Sequence, residues 1–122
     1  MLGYVTLGTN NLEKACAFYD ELFATIGFGR IFDDGKLFVW GKSLAESSVG
    51  ITTPFDDQPA TVGNGVMVAM KMNSEEEVKA FYAKALELGA TDEGAPGQRI
   101  DGFYAGYFRD LDGNKLNAFV FN

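Results

Sequence analysis

The chain contains no histidine and a single cysteine, Cys16. Without imidazole, the usual general base near neutral pH and the commonest metal ligand are both missing. Ser-His-Asp triads, HExxH sites and His-rich metal centres are thereby excluded. One thiol forms neither an internal disulfide nor a CxxC pair. Positive charge is scarce as well: 10 Lys and Arg face 17 Asp and Glu, for a net charge of -7, and no basic run interrupts the deficit. A phosphate backbone would be repelled, so nucleic acid is not an expected partner. No apolar run approaches the roughly 20 residues that span a bilayer, and the amino terminus lacks a basic patch followed by an apolar stretch. The expectations are no membrane association and a cytoplasmic location.

What is present is a globular composition, 47% apolar and 22% charged over 122 residues, enough for one domain with a substantial core. The chain also repeats itself. Val5, Asn10, Glu13, Ala17, Phe18 and Tyr19 recur as Val68, Asn73, Glu76, Ala80, Phe81 and Tyr82 in one ungapped frame that carries residue 18 onto residue 81, about half the chain. Each half opens with an alternating strand, "YVTLG" and "VMVAMKM", followed by an Asn-x-x-Glu box that reads as a helix start. Leu12, Ala15, Tyr19, Leu22, Phe23 and Ile26 then fall at helical spacing, as do Val78, Phe81, Tyr82, Ala85 and Leu88. Gly27 and Gly89 mark the helix ends.

Three strand-like stretches, "FGRIF", "LFVWG" and "SVGIT", follow the first helix. After the second helix the pattern is looser, but "GFYAGYF" and "KLNAFVF" are strands joined by "RDLDGN". The segment "PFDDQPATVGNG" reads as a linker, which gives a first module of about 1-53, a linker of about 54-64 and a second module of about 65-122, all within one domain 1-122. The fold class is α+β: two β-α-β-β-β modules forming a cup-shaped mixed sheet with helices on the outer face. Strand parity turns Val5, Leu7, Val68, Met70, Leu116, Ala118 and Val120 towards the helices. Tyr4, Thr6, Met67, Ala69, Asn117, Phe119 and Phe121 face the hollow. Equal counting from the Asp112-Gly113 turn sets Tyr107 opposite Asn117, with Ala105 on the same face. Trp40 and Phe38 are assigned to the hollow, and Leu37 and Val39 to the helix side.

"DLDGN" has acidic spacing like a calcium loop, but Lys115 stands where that loop needs glycine and Phe121 where it needs a bidentate glutamate, so it reads as a hairpin turn. "GFGRIF" lacks the third glycine of a dinucleotide fingerprint and follows a helix instead of a strand. Arg30 and Arg109, near strand ends, could meet an anionic ligand or simply be solvated termini. Phe103, Tyr104 and Tyr107 are candidate aromatic contacts for a flat or apolar molecule, or space fillers in a glycine-thinned sheet.

In arrangement and wording the chain resembles the vicinal oxygen chelate superfamily, which includes glyoxalases, bleomycin resistance proteins, fosfomycin-resistance enzymes and extradiol dioxygenases. The resemblance rests on "GYVTLGTNNLEKACAFYDEL", "PATVGNGVMVAM" and "RDLDGNKLNAF" and extends over essentially the whole chain. It implies paired β-α-β-β-β modules, commonly a homodimer, and a cup that in the enzymes holds a divalent metal. There the metal acts as a Lewis acid on two adjacent substrate oxygens. The ligand positions it implies are Tyr4, Met67 and Asn117, and none carries the usual histidine or glutamate. A phenol, a thioether and an amide are a poor donor set for a divalent ion, so no metal cofactor is expected.

The leading expectation is a metal-free protein of this superfamily that binds a small molecule in the cup, with Tyr4, Thr6, Trp40, Met67, Tyr107, Asn117 and Phe119 as candidate ligand-binding residues. The alternative is a lyase, isomerase or dioxygenase-type enzyme of the same superfamily with a non-standard or metal-independent site. A third reading is an interaction domain with a filled cup.

Overall fold

A computed structural model describes residues 1–122 in the order β1 (Tyr4–Gly8), α1 (Leu12–Ala24), β2 (Gly29–Asp33), β3 (Leu37–Gly41), β4 (Ser48–Thr52), β5 (Val68–Lys71), α2 (Glu75–Glu87), β6 (Thr91–Ile100), β7 (Phe103–Arg109) and β8 (Lys115–Phe121). The β-α-β-β-β order is thus present twice. The chain divides into two compact units, Met1–Val62 and Gly63–Asn122. Each has one helix and one four-stranded mixed sheet, ordered β1-β4-β3-β2 in the first and β5-β8-β7-β6 in the second. In both, the opening strand runs parallel to the last, and the remaining pairs are antiparallel.

The repeat frame holds to the residue at the helices, since Leu12 to Ala24 map onto Glu75 to Glu87. Their caps, however, lie one position later than the Asn-x-x-Glu boxes suggest. Asn11 caps α1, its Oδ1 accepting from the Lys14 amide at 3.1 Å. Ser74 caps α2, its Oγ accepting from the Glu77 amide at 3.1 Å while Glu77 reaches back to the Asn73 amide at 2.7 Å. Asn10 is used differently: its amide accepts from Ala60 N at 2.6 Å and donates to Ala60 O at 3.1 Å, tying the segment after β4 to the start of α1. The Asn-Asn and Asn-Ser doublets each offer two cap candidates, and only one backbone trajectory uses the second. Gly27 and Gly89 adopt φ of 78° and 107°, and amides just beyond them close back onto the last turn (Phe28 to Phe23 O, 3.0 Å; Ala90 to Ala85 O, 2.9 Å).

In the first unit Tyr19 and Phe23 of α1 pack on Trp40 of β3, with ring centroids 5.8 and 6.1 Å apart. Trp40 is therefore on the helix face, contrary to the expected parity. Its indole N–H donates to Asp20 Oδ1 at 2.9 Å. β3 alternates aromatic with aliphatic residues, so hydrophobicity does not distinguish its faces. The carboxylate that α1 presents to the indole and the bare Gly50 beside Leu37 and Val39 do. In the second unit Val78, Phe81 and Ala85 of α2 are fully buried, with Phe108, Leu116 and Ala118 fully buried in the sheet and the Phe81 and Phe108 rings 6.1 Å apart.

β6 is the element the sequence pattern hides. Residues 91–100 form an edge strand on β7 whose register shifts between Asp92 and Gly94, between Gly94 and Gly97, and between Gln98 and Ile100. Such bulges twist an exposed edge away from further pairing and re-aim its side chains.

Candidate functional site

Alternation along β8 decides what the second sheet offers. Leu116, Ala118 and Val120 are buried on the α2 side, and Lys115, Asn117, Phe119 and Phe121 occupy the other face. Asn117 sits in the middle of that face, in register with Tyr107 of β7 on one side and Ala69 of β5 on the other. The pairing of 107 with 117 is the one the hairpin count requires. Its Cα trace is set by the Asp110–Asn114 turn: the Asp110 carboxylate accepts from the amides of Asp112 and Asn114, both at 2.9 Å, and from Asn114 Nδ2 at 3.0 Å.

Asn117 is only 1% exposed, and its Oδ1 accepts no hydrogen bond. An unpaired buried amide oxygen costs about 1–3 kcal/mol, and buried polar atoms in folded proteins almost always have a partner. Beside it the ring of Tyr107 has the Arg99 guanidinium 5.3 Å and the Lys115 ammonium 5.7 Å from its centroid. Further along, Phe103 stacks on Phe119 at 5.4 Å and meets Phe121 edge-on at 5.8 Å. Arg109, directly across from Lys115, is held by Glu93 and by Gly113 O at 3.0 Å, and its guanidinium keeps the Glu93 carboxyl below the usual range.

Of the residues expected to line a site, Tyr107, Asn117 and Phe119 are brought together. Met67 lies just before β5, two residues ahead of Ala69, and is exposed. Tyr4 and Thr6 share one exposed face of the first sheet, where Thr6 is in register with Gly50. Trp40 and Phe38 lie on the opposite face of that sheet. Tyr104 likewise departs from the expectation: it is in register with Val120, on the α2 side, away from Tyr107. Arg30 is committed on the α1 side of the first sheet, where it ion-pairs with Asp20 at 2.8 Å and lies 4.9 Å from the Phe38 ring centroid. That ion pair holds the Asp20 carboxyl below its ordinary value, assisted by the Trp40 N–H against the effect of burial. Arg99 and Lys115 went unnoticed in the sequence. Period two from Asn117 points to Lys115, whereas Arg99 sits in a strand that the Gly-Pro-rich sequence conceals.

The donor set at Tyr4, Met67 and Asn117 does not fit a divalent metal, and no group of three or more His, Cys, Asp and Glu in the structure is placed to hold one.

Two β-α-β-β-β units with the opening strand of each paired to its last define the class of fold. The model of the Glyoxalase/Bleomycin resistance protein/Dioxygenase superfamily matches residues 1–118, and the chain belongs to that family. A glyoxalase/bleomycin resistance protein from Albidiferax ferrireducens is 37% identical, with a TM-score of 0.92 over 100% of this chain and 99% of that one. A family enzyme from Burkholderia phytofirmans (18% identity, TM-score 0.76, covering 98% of both chains) shares the fold. So does lactoylglutathione lyase from Agrobacterium tumefaciens (19% identity, TM-score 0.72, covering 98% of this chain and 92% of that one). No functionally curated protein matches the sequence. No helix is long and apolar enough to cross a membrane.

Proposed function

We propose that the protein is a metal-independent small-molecule binder, with the ligand seated on the face of the second sheet that carries Asn117, Tyr107 and Phe119. The observation that supports this most strongly is the buried Asn117 Oδ1 with no donor to it. A ligand hydroxyl or amide would complete that group, and the aromatic rings beside it offer apolar contact area. The amide stands where the superfamily resemblance places a metal-binding carboxylate. A neutral acceptor there suits hydrogen bonding, not charge neutralisation of a cation.

The test is amide NMR of the isotope-labelled full chain titrated with phenol, the simplest molecule with a ring and a hydroxyl donor. Saturable shifts at Tyr107, Asn117 and Phe119 are expected, and Asn117→Ala should abolish them. Shifts absent from all three, or unaltered by the substitution, would overturn the proposal.

A further inference from the structure

We infer that this face selects a hydroxylated carboxylate, with the anion lodged between Arg99 and Lys115 and the hydroxyl donating to Asn117 Oδ1. The inference deepens the reading above and rests on it.

In a chain of net charge -7, positive groups gather around one ring. Arg99 and Lys115 both approach Tyr107, and Arg109 lies in register with Lys115. Arg109 is neutralised by Glu93, but neither Arg99 nor Lys115 makes an ion pair. Arg99 is also placed, not dangling. Its Nη2 donates to Ala95 O at 2.6 Å, and the guanidinium lies over two bare glycines. A Cβ at Gly97 would come within 3.0 Å of Nη1, and one at Gly94 within 3.2 Å of Nη2. The remaining donors of the planar fork are uncommitted, and such forks match carboxylates in geometry.

The orphan atom supplies the second requirement. Asn117 Oδ1 is an acceptor, so a carboxylate alone leaves it unsatisfied and an alcohol alone leaves the two cations unpaired. A ligand carrying both groups on a flat body answers both, with Tyr107 between them. Selection of this kind is strong because the site's own polar groups stay unpaired when either ligand group is missing.

The experiment titrates the labelled full chain with phenol, benzoate and meta-hydroxybenzoate, reading the Tyr107 and Asn117 amides. meta-Hydroxybenzoate should bind at least about tenfold more tightly than either single-function probe, the scale of one charge-assisted hydrogen bond. Arg99→Gln and Lys115→Gln should each weaken it by about tenfold, well beyond any change in phenol binding, and an unaltered circular dichroism spectrum verifies that the variants are folded. Raised salt should weaken meta-hydroxybenzoate and spare phenol. Equal binding of phenol and meta-hydroxybenzoate, or indifference to Arg99→Gln, overturns the anion inference while leaving the small-molecule reading intact. Absence of shifts with all three probes overturns both.

Discussion

Replacing Asn117 by leucine should make the ligand-free protein more stable. The amide is buried to 1% exposure between Tyr107 and Ala69, and its oxygen has no donor. Removing such a group recovers about 1–3 kcal/mol of desolvation cost. Leucine has a similar length but a bulkier end, and imperfect fit returns up to about 1 kcal/mol. The net expectation is a gain of about 1 kcal/mol, which for a chain of this size raises the thermal midpoint by roughly 3–6 °C. Urea denaturation should show a higher midpoint with an unchanged slope, separating a stability effect from a change in the unfolded ensemble. The same substitution should remove phenol binding, because leucine offers no acceptor to the phenol hydroxyl. A loss of 1 kcal/mol or more in Asn117→Leu would refute this reasoning. It would mean that the amide stabilises the fold as it stands.

Three further outcomes follow from the same structure. Tyr82, whose hydroxyl donates to Asp92 at 2.7 Å, has its pKa pushed from 10.0 up to about 12, first by burial and then by that hydrogen bond. Its contribution is therefore full below pH 10 and lost as pH rises towards about 12, so Tyr82→Phe should flatten alkaline unfolding in that window when followed by circular dichroism. Asp20 has the opposite sense: the Arg30 hydrogen bond lowers its pKa from 3.8, so its contribution is present at neutral pH and lost as pH falls below 3.8. Asp20→Asn should be less stable than the parent at pH 7 and less sensitive to acid, measured by urea midpoints across pH. Ser74→Ala and Asn11→Ala should each cost about 1 kcal/mol in chemical denaturation, whereas Asn73→Ala should cost less because only its backbone amide is used in the cap.

Much of the architecture was legible because the repeat doubles every weak signal. The helix of one half validates that of the other, and the two helices begin and end on corresponding residues. The Tyr107–Asn117 pairing was legible for a different reason: a tight Asp-Gly turn counts register, and a strand whose polar residues, Lys115 and Asn117, both fall on one face has an unambiguous parity. β3 had no such marker. With apolar residues on both faces, the partner of the Trp40 N–H and the bare Gly50 beside Leu37 and Val39 distinguish them, and both Asp20 and Gly50 lie on other elements. Thr91 to Ile100 escaped because glycines and a proline read as loop, although bulges let an edge strand accommodate them. Arg99 was lost with it. The orphaned state of the Asn117 oxygen is a property of packing in three dimensions, and no spacing rule reports it.

The second sheet is proposed to bind its ligand through Asn117 without a metal. Elemental analysis of protein purified without chelator from medium supplemented with nickel, zinc, iron and manganese tests it most directly. Well under one equivalent of any divalent metal, unchanged in Asn117→Ala, is the predicted result. One equivalent of a metal that disappears in Asn117→Ala would contradict it.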